Sequence, residues 1–178
     1  NYTQHSTACK YFWQNGKELV LKSNMEHNIK AIESSFGLGA ALSAEAYFND
    51  SKKKYELTEP FFLQQSLHRF KTFLDSRVFK VLGSILRLGL FSTLNDVNKQ
   101  YFQDEELVQL FNRYATYNGS SPYKTPGIMQ MINHLEHGKG TFLPIGGMHE
   151  IAKSLTSLAR EVGVNIHLNQ NVEEVCSD

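Results

Sequence analysis

The stretch TFLPIGGMHEIAKSLTSLAREVGVNIHLNQNVEEV, residues 141–175, limits the possible folds most tightly. A short apolar strand, TFLPI, runs into a turn made by Pro144, Gly146 and Gly147. The next helix is amphipathic. Ile151, Leu155, Leu158, Ala159 and Val162 are spaced to form its buried side, and Gly163 can take the left-handed conformation that ends it. Val164, Ile166 and Leu168 alternate as a strand, NQN turns the chain, and 172–176 reads as another short strand. Strand, helix and strand in that order build one side of a layered α/β sheet. Yet the sequence has no G-x-G-x-x-G, the loop that would seat dinucleotide phosphates on a helix N-terminus.

The segments before it have a different pattern. In residues 8–22, ACKYFWQNGKELVLK, two strand-like runs flank Asn15-Gly16, a pair suited to a hairpin turn. Tyr11 and Trp13 share one face of the first strand and Phe12 takes the other. A helix is expected from Met25 to Phe36, capped by Asn24 and closed by Gly37. A second runs from about 40 to 55 into the solvated run Lys52-Lys53-Lys54, and Pro60 punctuates the segment after it. Residues 61–102 are apolar and helical in pattern, with Val78, Val81, Leu82, Ile85 and Leu88 on one face. Asp104, Glu105 and Glu106 open a helix at its positive end, with Leu107, Leu110, Phe111 and Tyr114 on the buried side, and NGSSP (118–122) breaks it. A further helix is expected over 128–136.

Eighteen basic and eighteen acidic residues cancel, and no basic tail or stripe exists to track a phosphate backbone, so nucleic acid is not a partner. Cys9 and Cys176 form neither a metal-ligand spacing nor a disulfide framework, which suits a reducing compartment. The sequons at Asn1 and Asn118 would matter only in a secreted protein, and NYTQHSTACK lacks the apolar core of a signal peptide. No run reaches the roughly 20 apolar residues of a membrane span. The chain begins without methionine and stops after VEEVCSD, as a piece of something larger would.

His134, Glu136 and His137 in HLEHGKG invite a metal, but a catalytic zinc needs a third protein ligand, and a solvated helix end is the simpler reading; no metal is assigned. There is no G-x-S-x-G elbow and no cysteine beside a histidine at a recognisable spacing. Arg113 lies among aromatic residues, where it could neutralise a substrate or pair with a carboxylate. Residues 77–91, with Arg77, Lys80 and Arg87 above an apolar surface, read either as a core-facing helix or as one lying in a membrane interface. Gly146, Gly147 and Met148 allow close backbone approach by a ligand, or simply turn a strand into a helix.

The order YFQDEELVQLFNRYATYNGSSPYKTPG, then INHLEHGKGTFLPIGGMHEIAKSLTSLAREVGVNIHLNQNVEEV, resembles the middle of bacterial carotenoid desaturases, the phytoene-desaturase-type FAD oxidoreductases of the amine-oxidase-like superfamily. The likeness rests on G-S-S-P at 119–122, H-L-E at 134–136, P-I-G-G-M at 144–148 and the strand pair with Val172. ACKYFWQNGKEL also looks like that family's substrate-domain hairpin, leaning to the branch that acts on hydroxylated or methoxylated carotenoids. The resemblance is strongest over 101–175 and weakest over 23–100. It implies an α+β fold: a mixed β-sheet substrate domain covered by helices over 1–143, with hairpin 8–22 and a helical lid at about 60–115. Residues 144–178 would be a helix-strand segment returning to a split FAD-binding α/β domain. The missing phosphate loop would then lie elsewhere in the parent.

Under this resemblance Gly146, Gly147 and Met148 pass close to the flavin ring, and the main chain of Val172 meets the adenine end of FAD. Tyr11, Trp13, Tyr117, Asn118, Pro122 and Tyr123 help wall a long apolar channel for a lipophilic polyene. No catalytic base can be named; Arg113 and Glu136 are the candidates. The implied parent desaturates a carotenoid using FAD, which this piece alone would not hold tightly, and is cytoplasmic, peripheral at the inner membrane, drawing substrate through 77–91. The rival readings are a free-standing lipid-binding module and an amine or porphyrinogen oxidase.

Overall fold

The computed structural model describes residues 1–62 and 88–176, the side chains of Phe61 and Phe62 excepted. These form two compact units, Asn1–Gln4 with Phe142–Asp178, and His5–Thr141. The lid expected at about 60–115 and the helix expected at 77–91 therefore fall partly outside the described residues. The class is α+β.

In the unit His5–Thr141, β2 (Thr7–Phe12) pairs antiparallel with β3 (Glu18–Lys22), Phe12 opposite Glu18. The hairpin closes as expected. Trp13 N–H donates to Lys17 O and Gly16 N–H to Trp13 O, and it is Gly16 that supplies the positive φ, +83°. Helix α1, Met25–Phe36, begins where Asn24 accepts from His27 N–H and ends at Gly37, whose φ of +87° lets the chain turn at once into α2, Leu38–Phe62. Asn28, fully buried on α1, accepts from Lys22 N–H at 2.7 Å and donates to Lys22 O at 2.8 Å, acting as a third strand at the end of the hairpin.

Helix α2 runs longer than expected and passes through Pro60. In its last turns Thr58 Oγ1 donates to Lys54 O, and Tyr55 OH donates to Glu59. Nor is Lys54 solvated. Its ammonium is buried against Asp50 at 2.9 Å and Gln130 Oε1 at 2.6 Å, because it falls on the face that α2 turns toward the later part of the chain. Helix α3 (Leu94–Tyr101) opens with a Thr93/Asp96 capping box, and α4 (Glu105–Asn112) is tied to it through Asn98–Asn112–Asn95 side-chain amides. Tyr47 and Phe48 of α2 meet Phe102 and Phe111 in an aromatic core, the last two stacked with centroids 4.7 Å apart. The acids 104–106 do open α4, but Asp104 makes no side-chain cap; Glu106 instead holds Lys17 at 2.7 Å and accepts from Asn15.

The helix expected over 128–136 is a 3-10 turn, Gly127–Met131, followed by a π-helix, His134–Lys139. The cause is a serine 83 residues away in sequence. Ser51 Oγ donates to Gln130 O at 2.9 Å and accepts from His134 N–H at 3.1 Å, so one hydroxyl sits in the slot where a direct i→i−4 bond would close an α-turn. Gly127 and Gly138 tolerate the crowding, since a Cβ at either would lie 2.5 Å from Val97 Cγ2 or His134 Nδ1 respectively.

In the other unit, β1 (Tyr2–His5) pairs with β4 (Thr141–Pro144), and Tyr2 packs edge-on against Phe142. The mixed sheet is thus corrected to two separate two-stranded ladders among the described residues. Helix α5, His149–Glu161, forms as expected, but its apolar side does not bury: Ile151, Leu155, Leu158 and Val162 are all exposed, because no element among the described residues covers them. The strands expected at 164–168 and 172–176 are likewise irregular. Extended chain becomes a strand only when it pairs with a neighbouring strand, and among the described residues none lies beside these; Val164 N–H instead donates to Ala159 O at the end of α5.

Candidate functional site

Where α4 ends, a 3-10 segment, Arg113–Asn118, carries Arg113 and Tyr117 toward the π-helix. Arg113 Nη2 donates to Glu136 Oε1 at 2.6 Å, its Nε donates to Tyr11 OH at 3.0 Å, and Tyr117 OH donates to Glu136 Oε2 at 2.7 Å. The hairpin, the 3-10 segment and the π-helix are thus joined through the Arg113 guanidinium. The Glu136 side chain is 7% exposed and that of Arg113 30%, so the pair straddles the boundary between core and surface. Beneath it, His137 Nδ1 lies 3.1 Å from Lys22 O, and the Tyr114 hydroxyl lies 3.0 Å from His137 Nε2 and 3.1 Å from the Asn133 amide oxygen.

Burial dominates the electrostatics. It depresses the pKa of His137, more than offsetting the pull of Glu136, so the ring is neutral near pH 7. One proton on Nδ1 then serves Lys22 O and leaves Nε2 to accept from Tyr114. Turning the Asn133 amide over lets its Nδ2, otherwise without a partner among the described residues, donate to the phenol oxygen. Burial raises the phenols of Tyr11, Tyr114 and Tyr117 and keeps them protonated. For Arg113, burial pulls downward, but the oxygens of Tyr11 and Glu136 outweigh it and hold the guanidinium charged.

On its outer side Arg113 lines an open cleft of about 660 Å³ with Tyr11, Trp13, Asn15, Gln109 and Leu110. Tyr11 and Trp13 are stacked 6.0 Å apart, and Phe36 meets Trp13 edge-on at 5.8 Å, fixing the aromatic wall. Such a cleft can hold an apolar group against rings while offering cationic N–H donors at one end.

Tyr11, Trp13, Arg113, Glu136 and Tyr117 therefore come together. Asn118 is exposed on the adjoining turn, whereas Pro122 and Tyr123 line a different hollow, beside Asn95 and Asn112. In the other unit Gly146 and Gly147 both take φ of +94° directly before α5, and Met148 and Val172 are exposed, Val172 on irregular chain rather than a strand. Sequence reasoning missed Tyr114 and Asn133 as the floor of the cluster. It also read His137 as solvent-facing, although the ring is buried and both its nitrogens have partners. Among the described residues no three His, Cys, Asp or Glu side chains stand together as a metal would require. None of the described helices is long and apolar enough to cross a membrane.

The profile of the flavin containing amine oxidoreductase family matches residues 2–177. The chain belongs to this family. Among its relatives, a 1-hydroxycarotenoid 3,4-desaturase from Flavobacterium sp. (strain P99-3) is 46% identical over 98% of this chain and 36% of that protein. A hydroxyneurosporene desaturase from Rhodobacter capsulatus is 30% identical over 93% of this chain and 33% of that protein. A 4,4'-diapolycopene oxygenase from Methylomonas sp is 26% identical over 92% and 32%. As a member of the amine oxidoreductase family, the chain spans about a third of the length of these relatives.

Proposed function

We propose that this chain is the substrate-binding part of a longer FAD-dependent oxidoreductase that desaturates a carotenoid or similar polyene. The observation that carries the reading is 46% identity, across nearly the whole chain, to a protein named a 1-hydroxycarotenoid 3,4-desaturase. Bound FAD would take up the hydrogen lost from two adjacent carbons as their single bond becomes double. The turn at Gly146 and Gly147 suits such a group, because neither residue puts a side chain over the path of a planar ring and both hold a backbone conformation that glycine favours. Met148 would border the same approach, and the Val172 main chain would meet the adenine end.

In the unit His5–Thr141 the chain's own residues bind and orient. The Tyr11–Trp13 wall takes the polyene's apolar surface, with Tyr117 and Asn118 at the margin, while Pro122 and Tyr123 line a neighbouring hollow rather than this cleft. Glu136 is better suited to positioning than to proton abstraction, since both carboxylate oxygens already accept hydrogen bonds. A membrane surface is the natural reservoir for such a substrate, and residues 77–91 are the segment proposed to meet it.

The test is to express the full-length parent and supply an acyclic carotenoid. The expected outcome is a flavin-containing protein and a product with one more conjugated double bond, seen as a red-shifted absorption spectrum. A flavin-loaded parent that leaves every polyene unchanged would refute the assignment, and so would tight, stoichiometric FAD binding by the 178-residue chain alone.

A further inference from the structure

Arg113 has more hydrogen-bonding capacity than the fold uses. A guanidinium carries five N–H donors. Here Tyr11 engages the one on Nε and Glu136 engages one on Nη2, with Tyr117 and Glu136 completing the support behind. No acceptor among the described residues takes a hydrogen bond from Nη1. The group is held rigidly by charge-assisted bonds on one side and lies over the Tyr114 ring, 5.1 Å from its centroid, on another. It nevertheless lines the cleft beside Tyr11 and Trp13. The acid at the rim, Glu106, is already occupied by Lys17 and Asn15 and offers no competing charge. Tyr11, Phe12, Trp13 and Leu110 form the apolar part of the cleft lining, and beside the neutral amides of Gln14, Asn15 and Gln109 it is Arg113 that supplies preorganised cationic donors.

We propose that Arg113 is a specificity-determining residue that reads an oxygen atom at the end of an apolar substrate chain, the Tyr11–Trp13 wall holding the hydrocarbon behind it. The inference rests on the polyene-binding reading above. Its chemistry is directional. A guanidinium only donates, so it accepts a tertiary hydroxyl or a methyl ether equally, and it gains nothing from a plain hydrocarbon end while losing water to it.

Trp13 is the chain's only tryptophan and stands in the cleft wall, so its fluorescence reports occupancy. The 178-residue chain is titrated with three acyclic polyenes of the same length, ending in a tertiary alcohol, its methyl ether, or the hydrocarbon. Quenching is expected to saturate at about ten-fold lower concentration for both oxygenated ends than for the hydrocarbon, as one hydrogen bond to a charged donor would give. In the doubly substituted chain, Arg113→Met with Glu136→Leu, checked for folding by far-UV circular dichroism, that preference is expected to vanish. Equal affinity for all three ligands in the unaltered chain would overturn the role of Arg113 and leave the polyene reading standing. So would binding of the alcohol but not the ether, since the reader would then be an acceptor. Quenching by none of the three would overturn the polyene reading itself.

Discussion

The Arg113–Glu136 pair predicts an asymmetric response to losing either partner. Breaking a fully buried pair by removing one member costs about 3–5 kcal/mol, because an uncompensated charge is left inside. Glu136 is close to that limit, while Arg113 has nearly a third of its side chain in water. Arg113→Met strands the carboxylate with only Tyr117 to serve it, and about 2–3 kcal/mol is expected after allowing for that remaining bond and for solvent screening. Glu136→Leu strands a cation that can turn outward, and about 1–2 kcal/mol is expected. The double variant removes both charges, so its cost should fall about 2 kcal/mol short of the sum of the singles. Urea unfolding followed by Trp13 fluorescence measures all three in the unit that holds the pair, and 1 M salt should change the coupling little. Single costs below about 0.5 kcal/mol that simply add would mean the carboxylate is wetter than its 7% exposure indicates.

Gly138→Ala should lower stability by about 1–3 kcal/mol in a thermal melt, since the new methyl would land 2.5 Å from His134 Nδ1 inside a packed turn. Asn28→Asp should cost more than Asn28→Ala, the alanine variant losing about 2–3 kcal/mol and the aspartate setting an oxygen against Lys22 O; equal costs would contradict the paired geometry. His137 and His134 have pKa values lowered by burial from 6.5, so the unfolded chain binds protons more readily than the folded one. Their contribution is complete above pH 6.5 and is lost as the pH falls toward the folded values. The urea midpoint should drop across that window, and less so in His137→Asn.

The parts of the fold legible in the sequence were those governed by near neighbours. Asn24 and Gly37 bound α1 through contacts within four residues, and Gly16 turns the hairpin by its own backbone. The π-helix was not legible, because the hydroxyl that opens it comes from Ser51 on another helix. Lys54 read as solvated for the same reason, its burial being decided by Gln130. At the site, Arg113 could be singled out as a charge among aromatic residues, whereas Tyr11, Tyr117 and Glu136 entered through the family resemblance. That the four form one hydrogen-bonded cluster depends on Arg113 meeting Tyr11 across 102 positions, which no local pattern encodes. The amphipathic spacing of α5 was read correctly as a helix and wrongly as a buried face, since periodicity identifies the stripe and says nothing of what covers it.

The single-residue corner at Gly37 bears on the order in which the polypeptide takes shape. Hairpin, α1 and α2 are consecutive and touch their immediate successors, so they need only short loops to close and can organise early. The clasp of Arg113 on Tyr11, like that of His137 on Lys22, must wait for more than a hundred residues to be threaded into position. During synthesis the aromatic wall would thus stand first, with its guanidinium counterpart arriving last, and a chain stalled before residue 113 would present that wall open to water.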